Sequence, residues 1–138
     1  LSYLVALTES VSVIASSAFE HLDNNHKPLI QYRKETLVTI GKRLDTLFGE
    51  MTDAIRENDY SQVIALREII LSLSDDIDRI MAKEADRIGE NKEFSRRNTN
   101  LYFGMMFEVK RVLYALSGFA ALFDKTHMQH EEDEALRS

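Results

Sequence analysis

Cysteine and tryptophan are absent from this 138-residue chain, proline occurs once and glycine occurs five times. The absence of cysteine excludes disulfides, thiolate metal ligands and cysteine nucleophiles. Because residues that interrupt helices are so rare, the composition favours long helices. No apolar run in the sequence approaches the roughly 20 residues that a transmembrane helix requires.

The charge balance is acidic, with 23 Asp and Glu against 17 Lys and Arg and a formal net charge of −6. General binding of nucleic acid is disfavoured, because phosphate neutralisation requires a basic surface. Hydrophobic residues at 44% and charged residues at 29% are typical of a folded protein. The length predicts a single domain. The first residue is Leu1 rather than Met, and we expect the chain to be a piece of a longer polypeptide.

Apolar residues recur at three- and four-residue steps over about residues 1–22, 28–56, 60–88 and 95–123. This spacing predicts four amphipathic helices. The fourth is the most apolar, and we expect it to contact partners on more than one side. Its stripe consists of Leu101, Met105, Val109, Val112, Leu116, Phe119 and Phe123. Its methionines and phenylalanines are expected to be core residues rather than part of a cofactor site.

Short polar connections separate the four segments. Pro28 suits the first turn of the second helix, Asn58 or Asp59 can cap the third, and Gly89 is placed to end it. These connections are too short for anything but neighbouring, oppositely directed helices.

The fold predicted from these patterns is all-α, an antiparallel up-down-up-down four-helix bundle over residues 1–125. After Lys125 the apolar period is lost. This loss predicts an acidic, flexible tail over residues 126–138.

Carboxylates cluster on the third predicted helix, at Asp75, Asp76, Asp78, Glu84, Asp86 and Glu90. A metal site would require them to converge with residues of another helix on a divalent ion. The favoured interpretation is a solvent-exposed face with surface ion pairs, such as Glu84 with Arg87. No metal or other cofactor is predicted.

Catalytic motifs are not recognisable in the sequence. His127, His130 and Glu131 have a spacing that could bind a metal, but they fall in the predicted tail and indicate adventitious binding at most. No nucleophile–base arrangement and no phosphate-binding loop is apparent. The sequence therefore predicts a protein that is not an enzyme.

Two groups of polar residues are candidates for contacts with a partner, although a solvent-exposed basic face and ordinary turn residues are the favoured interpretations. The first is basic and lies on the fourth predicted helix, where anionic headgroups, phosphate or an acidic protein surface could bind. The second is the polar connection before Pro28. The candidate contact residues are Asn24, Asn25, His26, Arg96, Arg97, Lys110 and Arg111.

Three stretches resemble a known family. They are HLDNNHKPL over residues 21–29, ADRI over residues 85–88 and NTNLYFGMMFEVK over residues 98–110. Together they resemble a PhoU-like domain, and more narrowly the C-terminal domain of bacterial inorganic-phosphate transporters of the PiT or sodium/phosphate cotransporter type. The resemblance covers about residues 10–123.

The resemblance implies a helical domain on the cytoplasmic face of the inner membrane, within an integral membrane protein. Members of the family modulate phosphate uptake or signalling and are not catalysts. Many bind metal clusters through Glu/Asp-x-x-x-Asp motifs, but here Tyr114 stands where the aspartate would be expected after Glu108. The metal site is therefore not carried over. The full family fold has two three-helix repeats, of which this chain resembles one repeat and a further helix.

We therefore expect a non-catalytic regulatory or accessory domain of a phosphate transporter, whose partner is the membrane-embedded portion of the same polypeptide. A carboxylate-rich metal-binding bundle is one alternative. A plain dimerisation module is another, with a homodimer formed through Leu1, Val5, Val13 and Phe19.

Overall fold

The computed structural model describes residues 30–90 and 96–138. They form three helices, α1 (Gln31–Arg56), α2 (Tyr60–Glu90) and α3 (Arg96–Arg137). No strand occurs in these two stretches, so the described part of the chain is all-helical, as predicted.

The three helices correspond to the second, third and fourth helices predicted from the sequence. The predicted first helix over residues 1–22 and the connection containing Pro28 lie outside the described residues. Within the part of the chain that is described, no helix is both long and apolar enough to cross a membrane.

The turn between α1 and α2 ends one helix and caps the next. Asn58 adopts a left-handed conformation with φ of 55°, its amide donates to the carbonyl of Ile55 at 3.1 Å, and the amide of Asp59 donates to Ala54 at 2.8 Å. This is a Schellman-type termination. The Asp59 carboxylate then accepts a hydrogen bond from the amide of Gln62 at 3.1 Å, which confirms Asp59 as the helix cap.

Pairs between α1 and α2 show their relative direction. Arg33, near the start of α1, contacts Glu84, near the end of α2, at 2.7 Å. Arg43, farther along α1, contacts Asp76, which comes earlier in α2, at 3.1 Å. The two helices are therefore antiparallel.

The pairs between α2 and α3 follow the same rule. Tyr60, at the start of α2, donates a hydrogen bond to Asp124, late in α3. Lys110, earlier in α3, pairs with Asp78, later in α2. Helices α2 and α3 are antiparallel too, which gives an up-down-up order for the three described helices.

The apolar stripe predicted for α1 faces the core. All six of its residues are at most 4% exposed, namely Leu37, Ile40, Leu44, Leu47, Met51 and Ala54. They join a single hydrophobic cluster with buried residues of α2 and α3. The helical periodicity therefore identified the buried side of this helix correctly.

The buried face of α3 is rotated from the predicted stripe. Tyr102 and Met106, expected beside the stripe, are at most 2% exposed, whereas Val112 and Phe119 are only partly buried. Phe107 is 56% exposed, so its prediction as a core residue was wrong. The apolar surface of α3 is so wide that the spacing of its apolar residues does not determine which side of the helix faces α2.

Helix α3 continues to Arg137, past the point where the sequence predicted that regular structure would end. Its 42 residues span about 63 Å, against about 46 Å for the 31 residues of α2. Residues 128–138 are exposed. The segment predicted as an acidic tail is thus helical as far as Arg137, and its flexibility stays a prediction.

Adjacent isoleucines on α2 provide a matched test of this packing. Ile70 is 1% exposed and Ile69 is 45% exposed. We expect Ile70→Ala to lower the free energy of unfolding by about 2–5 kcal/mol, because it leaves a cavity in the core. Ile69→Ala should change it by less than about 1 kcal/mol. Urea unfolding followed by circular dichroism measures both, and equal losses would show that the helix is oriented differently.

Candidate functional site

A fully buried arginine lies where all three described helices meet. Arg33 is 0% exposed and Glu84 is 3% exposed. The Nε and Nη2 atoms of Arg33 both lie 2.7 Å from Oε1 of Glu84. A buried guanidinium is tolerated only when charge and hydrogen bonds compensate for lost water, and Glu84 supplies the opposite charge.

Helix α3 supplies further contacts of the guanidinium. Nη1 of Arg33 donates to Oδ1 of Asn98 at 2.8 Å and to Oγ1 of Thr99 at 3.3 Å. The Arg33 guanidinium carbon also lies 5.1 Å from the centre of the Tyr102 ring, a cation–π distance. The first turns of α3 are thereby fixed to the first turn of α1.

Two further side chains surround Glu84. Tyr32 donates its hydroxyl hydrogen to Oε1, and Nη1 of Arg87 lies 3.8 Å from Oε2. Arg87 also stacks over the Tyr32 ring at 5.1 Å. We call the buried ion pair and all the side chains that contact it the Arg33 cluster. Its members are Tyr32, Arg33, Glu84, Arg87, Asn98, Thr99 and Tyr102.

Burial perturbs the ionisation of one member of the Arg33 cluster. Tyr102 is 2% exposed, and the loss of hydration raises the pKa of its hydroxyl. The charge of Glu84 and the nearby Tyr32 raise that pKa further, while a hydrogen bond with Thr36 and the charge of Arg33 lower it. Tyr102 therefore favours its neutral form more strongly than a tyrosine in water.

The position of Glu84 corrects an interpretation made from the sequence. Glu84 was expected on a solvent-exposed acidic face, but it is buried and its carboxylate is occupied by Arg33, Tyr32 and Arg87. It is the only carboxylate among the buried residues of the described part of the chain. A carboxylate held in this way locks helices together and is not open to an external ligand.

The other carboxylates of α2 do not converge. Asp76 pairs with Arg43 at 3.1 Å and Arg79 at 3.5 Å, and Asp78 pairs with Lys110. Across residues 30–90 and 96–138, no group of three or more His, Asp or Glu side chains is arranged to hold a metal ion. The side chain of Glu90, included in the predicted acidic cluster, lies outside this description.

A second polar cluster forms at the opposite end of the bundle. The hydrogen bond that Tyr60 donates to Asp124 is the largest cause that raises the pKa of the Tyr60 hydroxyl. The ring of His127 stacks on Tyr60, with centres 4.0 Å apart and planes 22° from parallel. Because Tyr60 begins α2, this stacking packs His127 against the start of that helix. Within α3, Nε2 of His127 also lies 3.3 Å from Oε1 of Glu131.

The candidate contact residues fall in separate places. Arg96 and Arg97 are exposed at the start of α3. Lys110 and Arg111 lie about 20 Å farther along the helix, where Lys110 pairs with Asp78 and Arg111 with Glu108 at 3.0 Å. The described residues therefore do not form one basic patch. Asn24, Asn25 and His26 lie outside the described residues, and the contact role of all seven stays a prediction.

Sequence reasoning missed Arg33, although a signal was present. Arg33 stands four residues before Leu37 in line with the apolar stripe of α1, and Glu84 lies between Met81 and Ile88 in line with the stripe of α2. A single charge within an apolar stripe predicts a buried ion pair when an opposite charge interrupts the stripe of a neighbouring helix. Only the register of the two helices shows that these charges meet.

No family model, curated protein or solved structure matches the chain. The resemblance to PhoU-like domains therefore stays a prediction. The argument about function depends on the residues that the fold brings together.

The buried ion pair gives a testable stability effect. We expect Glu84→Gln to lower the free energy of unfolding by about 3–5 kcal/mol, because the Arg33 charge stays buried without a counter-charge. The same change in the exposed pair, Glu108→Gln, should cost less than about 1 kcal/mol. In a double-mutant cycle with Arg33→Met, the combined loss should fall below the sum of the single losses. Additive losses would contradict the pairing.

Alkaline pH should destabilise the fold through Tyr102. Its folded-state pKa is raised above the ordinary value of 10.0, so the unfolded chain loses this proton first and stability falls as the pH rises above about 10. We expect Tyr102→Phe to reduce the slope of this loss of stability between about pH 9 and 11. The contribution of Tyr60, whose pKa is also raised, should remain. Tyr114→Phe, at a site that is 84% exposed, serves as the control. Unfolding by urea at a series of pH values measures the slope for each variant. The same slope for Tyr102→Phe and Tyr114→Phe would contradict the assignment of this pH dependence to Tyr102.

Proposed function

We propose that the chain is a non-catalytic regulatory or accessory domain of an inorganic-phosphate transporter. In this proposal it lies on the cytoplasmic face of the inner membrane, and acts through contacts with the membrane-embedded portion of the same polypeptide. One observation carries the proposal. Two stretches that resemble PhoU-like domains, and that are separate in the sequence, both contribute side chains to the Arg33 cluster.

Two of the three stretches that resemble PhoU-like domains fall within the described residues and contribute to this cluster. Arg87 comes from the stretch over residues 85–88, and Asn98, Thr99 and Tyr102 come from the stretch over residues 98–110. They surround the same ion pair. The type and spacing of these four residues are therefore explained by contacts with one buried ion pair. This supports the view that the resemblance reflects more than a shared helical composition.

The finer fold forms part of the same proposal. We propose that the helix predicted over residues 1–22 completes an antiparallel four-helix bundle of PhoU-like topology. Such a bundle places its first helix beside the second and fourth, which are α1 and α3. The support is the three- and four-residue apolar spacing of this segment.

The proposed docking surface is the end of the bundle that contains the Arg33 cluster. Arg96 and Arg97 are exposed there. His26 precedes Gln31, the first residue of α1, by a span of at most about 18 Å of extended chain. The predicted contact residues Asn24, Asn25 and His26 can therefore reach the same end. The buried ion pair beneath this surface would hold it in one shape.

Deletion of the domain from the complete transporter polypeptide tests the proposal. We expect the truncated transporter to differ from the intact one in the rate of radiolabelled phosphate uptake, or in how that rate responds to phosphate supply. A double substitution, Arg96→Glu with Arg97→Glu, should reproduce part of the change, because it reverses the charge of the docking surface. Lys42→Glu, on an exposed part of α1, is the control.

Uptake and regulation that stay the same after deletion would refute the proposed function. A deletion effect that Arg96→Glu with Arg97→Glu does not reproduce would refute the docking surface alone. Immunoblotting of membranes confirms that each polypeptide is present in equal amount.

A further inference from the structure

One arginine of α2 lies beside α3 without an opposite charge. Arg67 is partly buried, and its Nε atom is buried with no hydrogen-bond partner. It comes seven residues after Tyr60, which contacts Asp124 of α3, and eleven residues before Asp78, which pairs with Lys110 of α3. Since seven and eleven residues make about two and three helical turns, Arg67 lies on the same edge of α2 as these two contacts.

Helix α3 does not supply a counter-charge to this guanidinium. The two helices are antiparallel, so residues 117–121 of α3 lie at the level of Arg67, and their sequence SGFAA contains no carboxylate. Within residues 30–90 and 96–138, Arg67 forms no ion pair. Burial has removed part of the hydration of this cation, which a carboxylate from a second molecule can replace.

Arg67 belongs to a row of side chains on the surface of α2. Arg67, Leu71 and Asp75 follow one another at four-residue steps, which aligns them as one ridge of the helix. Leu71 is 48% exposed and Asp75 is exposed. Asp75 also forms no ion pair within the part of the chain that the structure describes. We call these three residues the Leu71 ridge; it is positive at one end, apolar in the middle and negative at the other end.

We propose that the Leu71 ridge is the contact surface of a homodimer, in which α2 of one copy crosses α2 of a second copy with a two-fold axis at Leu71. The axis sets Leu71 against itself and Arg67 of each copy against Asp75 of the other. Ridges with four-residue steps interdigitate at an interaxial angle of about −50°, the commonest class of helix packing. The proposal does not depend on the phosphate-transporter assignment, and the surface differs from the N-terminal one considered from the sequence.

The sides of the helix agree with this pairing as well as the levels along it. Arg67 lies on the edge of α2 beside α3, and Asp75, eight residues later, is rotated by about 80° away from that edge. A two-fold axis through Leu71 turns the α3 edge of one copy toward the opposite edge of the other copy. Arg67 therefore meets Asp75 of the second copy on the same side of the crossing.

Helix α3 adds an aromatic side chain to the contact. Tyr114 is 84% exposed and lies one turn after Lys110, which places it at the level of Ser74, one turn before Asp78. The same rotation sets Tyr114 against Glu68 of the second copy, which is exposed, so the phenol hydroxyl can donate to that carboxylate.

Charge complementarity favours a second copy as the occupant of this surface. A uniformly acidic partner would neutralise Arg67 but repel Asp75, and a uniformly basic partner would do the reverse. A second copy, rotated about Leu71, offers the opposite charge at both ends of the ridge.

Sedimentation velocity of the 138-residue chain tests the dimer. We expect a concentration-dependent shift from the mass of one chain, 15.9 kDa, to twice that mass. Arg67→Glu should raise the dissociation constant at least about tenfold, because it sets two carboxylates against each other twice per dimer. Lys42→Glu, on an exposed part of α1, makes the same change of net charge and should leave the dissociation constant within about twofold.

Exchange of the two charges separates pairing from any effect on folding. Asp75→Arg alone, at an exposed site, should weaken the dimer as much as Arg67→Glu. Both substitutions in one chain should bring the dissociation constant back to within about threefold of the original, because the pairs form again in reverse. Circular dichroism verifies that each variant is folded.

Three outcomes would overturn the proposal. One is a chain that stays monomeric up to about 1 mM, at the weak end of specific association. Another is a dimer that Asp75→Arg and Arg67→Glu weaken no more than Lys42→Glu does. The third is a double variant that associates no better than the two single variants.

The position of the two-fold axis has its own test, because the chain contains no cysteine. A residue on the axis faces its own copy, so Leu71→Cys should form covalent dimers when treated with a short bifunctional maleimide. Ile69→Cys is the control, since Ile69 is 45% exposed and lies about 160° around α2 from Leu71. We expect a yield several times higher from Leu71→Cys. Equal yields, or no covalent dimer from Leu71→Cys, would overturn the placement of the axis.

Discussion

The buried charge of Arg33 constrains the arrangement of the three described helices. A guanidinium with no exposed surface needs a counter-charge and hydrogen-bond acceptors, and the neighbouring helices supply both. Glu84 of α2 provides the charge, and Asn98 and Thr99 of α3 provide acceptors. Sliding any one helix by a turn, about 5.4 Å, would break these contacts. Apolar packing alone tolerates such slips more readily, so the ion pair gives the bundle a specific register.

The interior and the surface of α3 have different roles. Its inner face, with Met106, Val109 and Leu113, is at most 1% exposed and packs in the shared core. Its outer face leaves Phe107 and Tyr114 in water. The buried carboxylate of Glu84 is engaged by Tyr32, Arg33 and Arg87, whereas these two aromatic side chains are accessible to a partner.

The helical periodicity predicted the described helices and most of their buried positions, because an amphipathic helix must turn its apolar stripe inward. The cap at Asp59 was also foreseeable, since an aspartate with a free carboxylate suits that position. The Arg33 cluster was not predicted. A charge within a stripe has two outcomes, exposure by rotation of the helix or burial with a partner, and the choice depends on the neighbouring helix. The same limit applies to Phe107, which lies outside the predicted stripe but was expected in the core with the other phenylalanines of this helix.

By itself the sequence determined the helices, the turn that joins α1 to α2 and the acidic, cysteine-free composition. These follow from local preferences and from the spacing of apolar residues within one segment. Only the tertiary structure decided that Arg33 and Glu84 meet, that His127 stacks on Tyr60 and that Phe107 faces solvent. Each of these facts depends on the rotation and register of one helix against another, and residues far apart in the sequence set those quantities together.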